Sequence, residues 1–470
     1  MTGKKIFITL AALSLAACTM IPKYTRPGAP VPADWPNGTA YQEAKSTASA
    51  PTAAELPWRE FITDKRLQKI IETALNNNRD LRLAALNVER ARALYGIQRA
   101  ELWPSVNAVG SWYQERVPAD LSSTGSAMTS ERYDVTLGIS SWEIDFFGRI
   151  RSLKDRALEE YLATDQARHS AQILLVSTVA NAYLTLAADR ETLKLAEVTL
   201  KTQQASYDLI KRRQEVGLAS ELDLNRAQTQ VDTARGDVAR YTQLPAQDEN
   251  ALNLLVGSPS PRPSEGLPAD LTGVNPPQEI SAGLSSEVLL HRPDILAGEH
   301  RLKAVNANIG AARAALFPRI ALTTFVGTAS SELSGLFKGG SGTWSFAPQI
   351  AIPIFDARLW SALDAVKVEK EIALAQYEKA IQTAFREVAD ALAGRGTVDR
   401  QLAAQQSLVE AADKTYRLSQ ARYTKGIDSY LSVLDAQRSL YGAQQGLVAL
   451  RLAKLANQVR LYAVLGGGGQ

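Results

Sequence analysis

Cys18 is the single cysteine of the chain, and it closes the run Leu15-Ala16-Ala17-Cys18, where a small-residue cleavage site ends. Once that thiol is used, no disulfide can form within the mature chain, so packing alone must hold the fold. Far along the sequence, Leu431 and Asp435 stand four residues apart on one helix face, with Arg438 one turn further on. An Asp–Arg pair three residues apart is also the spacing of an ordinary surface contact, worth about 0.3–0.5 kcal/mol. His169, His291 and His300 are scattered, and none stands at a metal-ligand spacing. The sequence offers no glycine-rich phosphate loop, nucleophile elbow or Ser/His/Asp set. Nothing in these residues points to an enzyme or a cofactor.

The elements around Cys18 explain its place. Lys4 and Lys5 form a basic n-region, and Ile6 to Leu13 form an apolar stretch too short to span a membrane. This pattern resembles the bacterial lipoprotein signal, in which the cysteine is lipidated and becomes the first residue of the mature protein. By that resemblance residues 1–17 are a signal peptide and Cys18 carries covalent lipid, palmitate included. Thr19, in place of Asp, favours the outer membrane. Losing Lys4 and Lys5 with the signal leaves 50 basic residues against 49 acidic ones. A balance this close to neutral gives no reason to expect a nucleic-acid partner. A mean hydropathy of -0.15 argues against a polytopic helical membrane protein.

The mature chain is written twice. Tyr207, Leu209, Arg213, Gly217, Ser220, Leu222, Ala227 and Gln228 recur 209 positions later as Tyr416, Leu418, Arg422, Gly426, Ser429, Leu431, Ala436 and Gln437. Gly96, Arg99, Ala100, Leu102 and Pro104 recur 214 positions later as Gly310, Arg313, Ala314, Leu316 and Pro318. Each copy opens with a helical run, Leu81–Leu102 or Ile295–Leu316, which a proline ends. Two alternating stretches follow. Tyr133, Val135, Leu137 and Ile139 interleave with polar residues, as do Trp344, Phe346, Ile350 and Ile352; Val106–Trp112 and Ile320–Val326 alternate less strictly. Runs of about ten residues with one apolar face suit tilted strands crossing a bilayer. The Ser/Gly-rich segments 119–130 and 329–342 connect them. Trp103, Trp112, Trp142 and Trp344 fall near strand ends, as interface girdles require.

After each strand pair the pattern predicts a helix of about 65 residues, Arg149–Val216 and Arg358–Lys425, roughly 100 Å long. Leu193, Leu200 and Tyr207 recur by sevens, as do Leu434, Tyr441, Val448, Leu455 and Tyr462, which predicts coiled-coil packing. Ala171–Ala188 is uncharged, but its duplicate carries Arg386, Glu387 and Asp390, so it reads as a packed face and not a membrane span. Gly217 and Gly426 suit the left-handed residue that closes each long helix. Ser220 and Ser429 then suit the N-cap of the next one, with Ser220-Glu221-Leu222-Asp223 as a capping box. The expected organisation is a signal over 1–17, a lipid-anchored segment over 18–60 and repeat 1 over 61–256 with its hairpin at 104–147. A Pro/Gly-rich linker over 257–284, repeat 2 over 285–466 with its hairpin at 318–355, and a tail over 467–470 complete it.

Four strands cannot close a barrel, which needs about eight to fill with side chains, and open edges are not tolerated in lipid. If the strands enter the membrane, several copies must share one barrel. An anchored shared barrel leading to a long helical tube is a duct. A lipid-anchored periplasmic adaptor or structural spacer without its own pore is the competing reading, but two equivalent hairpins and paired amphipathic strands fit it poorly.

The lipoprotein signal, Asp145-Phe146-Phe147-Gly148-Arg149, and the stretch from Gly426 through Leu431-Ser432-Val433-Leu434-Asp435-Ala436-Gln437-Arg438 resemble the TolC/OprM class of outer membrane factors. The resemblance covers essentially the whole mature chain. It implies a mainly α fold with a membrane β part: a homotrimer whose twelve strands share one transmembrane barrel, continuous with a coiled-coil helical tunnel in the periplasm. It implies a passive efflux channel for small molecules, drugs and antibiotics among them. Its partners would be a periplasmic adaptor (a membrane fusion protein), an inner-membrane pump of the resistance-nodulation-division type, and outer-membrane lipid. In that class a ring of Leu, Asp and Arg closes the periplasmic end, at the positions of Leu431, Asp435 and Arg438. The hairpin tips Gly217, Ser220, Gly426 and Ser429 would meet the adaptor. A second acidic position seen in TolC-like members is Ser432 here, so a double acidic ring is not expected.

Overall fold

The computed structural model describes residues 19–41, 51–53, 56–257, 266–281 and 285–468. The signal, Cys18 and parts of the anchor segment, the linker and the tail lie outside them. In chain order the elements are α1 (Trp58–Phe61), α2 (Lys65–Asn77), α3 (Arg79–Ala100), β1 (Val106–Val117), β2 (Met128–Ile144), α4 (Arg149–Glu215) and α5 (Glu221–Val256). Then come α6 (Pro293–Ala314), β3 (Arg319–Ser330), β4 (Gly342–Ala351), α7 (Ala357–Thr424) and α8 (Tyr430–Val464). The chain divides into two compact units that cut across the repeats, each drawing segments from both.

The first unit, built from Asn87–Thr164, Ala297–Tyr377 and the residues up to Gly28, holds the strands. They form one antiparallel sheet in the order β1-β2-β3-β4, so β2 joins the two repeats and β1 and β4 are edges. Its register makes the sidedness explicit. Ala108, Leu137, Val326 and Trp344 line up across the four strands, as do Val106, Ile139, Thr324 and Phe346. The apolar side chains of this face are bare: Leu137 is 53% exposed, Val326 61% and Trp344 77%. The opposite face carries Arg132 paired with Asp134 at 2.8 Å, and Glu143 accepting from both Arg149 and Arg319. Apolar outside and polar inside is the alternation of a membrane barrel wall.

A bulge between Ile139 and Trp142, with Ser141 at φ 55°, shifts the register so that Trp142 and Ile144 join the apolar face beside Leu322 and Ile320. Gly138 and Gly327 sit where a Cβ would come within 2.3 and 2.1 Å of backbone oxygens on the neighbouring strand, so only glycine fits. The strands run longer than apolar alternation suggests. β1 continues through Gln114, Glu115 and Arg116, which pair with Glu131, Ser130 and Thr129. Trp112 is therefore inside its strand and not at its end, where it stacks with Tyr133 at 6.4 Å.

The second unit holds Ala29–Leu86, Asp165–Leu296 and the chain from Glu378 onward. The uncharged stretch of α4 is packed here, with Val179, Ala180, Tyr183, Leu184 and Leu186 buried. Phe61 stacks on Tyr462 at 3.9 Å, and the Tyr462 hydroxyl donates to the Leu56 carbonyl at 2.6 Å. The heptad stripe of α8 turns inward, with Leu434, Val448 and Tyr462 buried. Asn78 caps α3 by accepting from Leu81 N–H and donates to the Leu255 carbonyl, which fastens α2 and α3 to the end of α5. Gly257 ends α5 at φ 65°, where a Cβ would stand 2.5 Å from the Asn77 carbonyl oxygen.

Candidate functional site: the hairpin tips

The ends of α4 and α7 close alike. Gly217 and Gly426 take φ 74° and 73°, which glycine adopts without penalty. The N–H groups of Gly217 and Leu218 return to Gln214 and Arg213, and those of Gly426 and Ile427 return to Tyr423 and Arg422. The caps then differ. Ser220 Oγ accepts from Asp223 N–H at 3.1 Å and donates to the Asp223 carboxylate at 2.7 Å. Ser429 holds the N-cap position of α8, yet its side chain makes no capping hydrogen bond. This departs from the expected pair of matching caps. Its physical reason is that the third residue on is Ser432, which has no carboxylate to hold the hydroxyl. The second turn is fastened instead by Arg422, whose guanidinium donates to both Asp428 oxygens at 2.6 and 2.9 Å. The first copy has Ala219 at the matching place, and its Arg213 lies over the Tyr423 ring at 4.9 Å.

Both tips share one core. Ile210 and Ala227 from the first hairpin pack with Tyr430, Val433 and Leu434 from the second, and Tyr207, Leu224, Tyr416 and Tyr423 close around them. Tyr430 is buried with no partner for its hydroxyl, and burial pushes its pKa well up. Sequence reasoning passed over this tyrosine. The available signal was Tyr423 and Tyr430 seven residues apart across the Gly426 turn; their rings meet at 5.4 Å.

Leu431, Asp435 and Arg438 lie together on the exposed face of α8, while Val433, Leu434, Ala436 and Gln437 form its buried side. Asp435 and Arg438 do not pair with each other. The Arg438 guanidinium reaches across to Gln230 Oε1 on α5 at 3.3 Å. Among the described residues no basic side chain pairs with Asp435, so its carboxylate faces outward uncompensated. In the first copy Arg226 takes that place and lies 3.8 Å from Asp223.

Residues 70–258 and 284–467 match the family described as outer membrane efflux protein. The toluene efflux pump outer membrane protein TtgC of Pseudomonas putida is 50% identical over 474 residues, covering 100% of this chain and 96% of that one. The antibiotic efflux pump outer membrane protein ArpC of Pseudomonas putida is 50% identical with the same coverage. The open state of the MtrE outer membrane channel of Neisseria gonorrhoeae has a TM-score of 0.86 at 39% identity, over 96% of this chain and 99% of that chain. Both repeats, their strand pairs and their hairpin tips fall inside these matches, and the chain belongs to the outer membrane efflux protein family.

Proposed function

We propose that this chain is the outer-membrane channel of an efflux pump, giving passive exit to small organic molecules. The observation that carries this reading is the sheet, apolar and bare on one face, ion-paired on the other and unpaired at both edges. A pore-less spacer has no use for such a wall. Four strands with two open edges favour a homotrimer, whose twelve strands close one barrel. Relatives named for toluene and antibiotic efflux support organic cargo. No catalytic step or cofactor is part of this reading, and the energy comes from an inner-membrane pump of the resistance-nodulation-division type. A periplasmic adaptor docks at the tips around Gly217, Ser220, Gly426 and Ser429. Lipid on Cys18 adds an anchor in the outer membrane. At the periplasmic end, three copies of Leu431 form an apolar constriction and three copies of Asp435 an anionic ring, with Arg438 beside it. The test is purified protein in planar bilayers together with a gene deletion. Discrete conductance and hypersensitivity to antibiotics, dyes and solvents are expected; a protein that never conducts leaves only the spacer.

A further inference from the structure

The two repeats are alike in sequence and unequal in burial. In α6 of the second repeat, Ala297, Leu302, Ala304, Ala307, Ile309, Ala311 and Ala314 are all buried. Its counterpart α3 in the first repeat has no buried residue, and Leu94 and Ile97 are 52% and 65% exposed. The cover on α6 is α4. A Cβ on Gly310 would stand 2.7 Å from Ser152 Oγ, Arg156 donates to Asn308 Oδ1 at 3.4 Å, and His300 Nδ1 lies 2.6 Å from Glu159. The two helices therefore run antiparallel, and Gly310 marks their closest approach.

The same seam has open halves elsewhere. Gly96 repeats Gly310, and nothing lies within 4 Å of a Cβ placed there. Ser361 repeats Ser152 on α7, and around it Trp360, Val368 and Ile372 are exposed. The repeat that supplies a covering long helix to α6 has no preceding repeat in the same chain to cover α3.

We propose that α3 of one copy packs antiparallel on α7 of a second copy, in the register that α6 and α4 show within the chain. This rests on the shared-barrel reading above and assigns its helical seam. Transposed through the repeat, Gly96 meets Ser361 of the second copy, and Leu94 meets its Ala365. The same register brings Arg92 beside Asp364 and Glu89 beside Lys367, opposite charges in both cases. Within the chain Asp364 and Lys367 hold only each other, at 2.9 Å and exposed. Small residues at closest approach, flanked by complementary charges, are what an antiparallel helix seam requires.

The test is a disulfide across the seam in full-length protein in its own membrane. Gly96→Cys with Ser361→Cys, under mild oxidant, is expected to give a covalent ladder ending at the trimer on non-reducing denaturing gels, collapsed by reductant. Each single variant is expected to give none. The displaced pair Gly96→Cys with Val368→Cys, about 10 Å further along the helix, is expected to stay uncrosslinked. A ladder from the displaced pair alone, or an intrachain bond without a ladder, overturns the register. Heat-modifiable migration of unoxidised protein reads the trimer separately: a trimer lacking the expected cross-link defeats the seam alone, and a monomer defeats the shared barrel. Gly96→Val supplies a second readout. It is expected to insert normally yet lower the temperature of trimer dissociation by several degrees, and an unchanged temperature overturns the close approach.

Discussion

Asp435 is a carboxylate with no cation to answer it, since Arg438 has turned to Gln230. A charge left uncompensated in one copy gains meaning when three copies bring it to an axis, where like charges repel and cations are drawn in. Asp435→Ala combined with Arg438→Ala is expected to raise single-channel conductance in planar bilayers. Asp435→Asn alone is expected to weaken cation preference in reversal-potential measurements. Unchanged conductance in the double variant would remove both residues from the gate. A second carboxylate is perturbed by its surroundings rather than by its absence of partners. Burial, with Asp189 alongside, pushes Asp248 up to about 6 from its ordinary 3.8, and one Asp248 oxygen is buried without a partner. Here the folded state binds the proton more tightly than the unfolded one, so the contribution to stability is complete below the unfolded value. It is lost as pH rises to about 6. Thermal melts between pH 4 and 7 are expected to show that decline, and Asp248→Asn to flatten it. A melt of the variant as pH-dependent as the parent's would clear this pair.

At the scale of elements, regularity was legible and exceptions were not. The long helices end within a residue of where glycine and heptad spacing put them, because both signals are local. Strand length was underestimated, since β1 extends through charged residues that alternation cannot flag and only cross-strand pairing supports. The bulge at Ser141 left no mark in the sequence pattern. The gate residues could be grouped on one face by spacing alone. The turning of Arg438 towards Gln230 depends on a helix distant in the chain, and no local pattern encodes it. The two caps make the point measurable. Ser220 satisfies an otherwise orphaned N–H and Ser429 does not. Ser220→Ala is therefore expected to cost about 1 kcal/mol, while Ser429→Ala stays near neutral in chemical denaturation. Equal losses would mean that Ser429 caps in solution after all.

For the whole molecule the question is what holds it in the membrane. A single acyl chain gives only marginal, reversible binding, with a constant of about 10⁴ M⁻¹. The sheet offers far more: Trp112, Leu137, Val326, Trp344, Phe346 and Ile350 are all more than half exposed on one face. Its edges β1 and β4 are unpaired in one copy, and lipid leaves no water to satisfy them, so insertion and closure must come together. Lipid on Cys18 then adds to an attachment that the closed barrel already secures. Cys18→Ser, exported under a signal of the non-lipoprotein kind, is expected to remain in the outer membrane through alkaline washing and to migrate as a heat-modifiable trimer. Leu137→Arg, with its charge in the middle of the apolar face, is expected to cost about 2–4 kcal/mol if it sits near the bilayer midplane. It should deplete the inserted trimer even with Cys18 intact. Release of the Cys18 variant alongside retention of the Leu137 variant would reverse the assignment, leaving the lipid as the anchor and the strands as a soluble sheet.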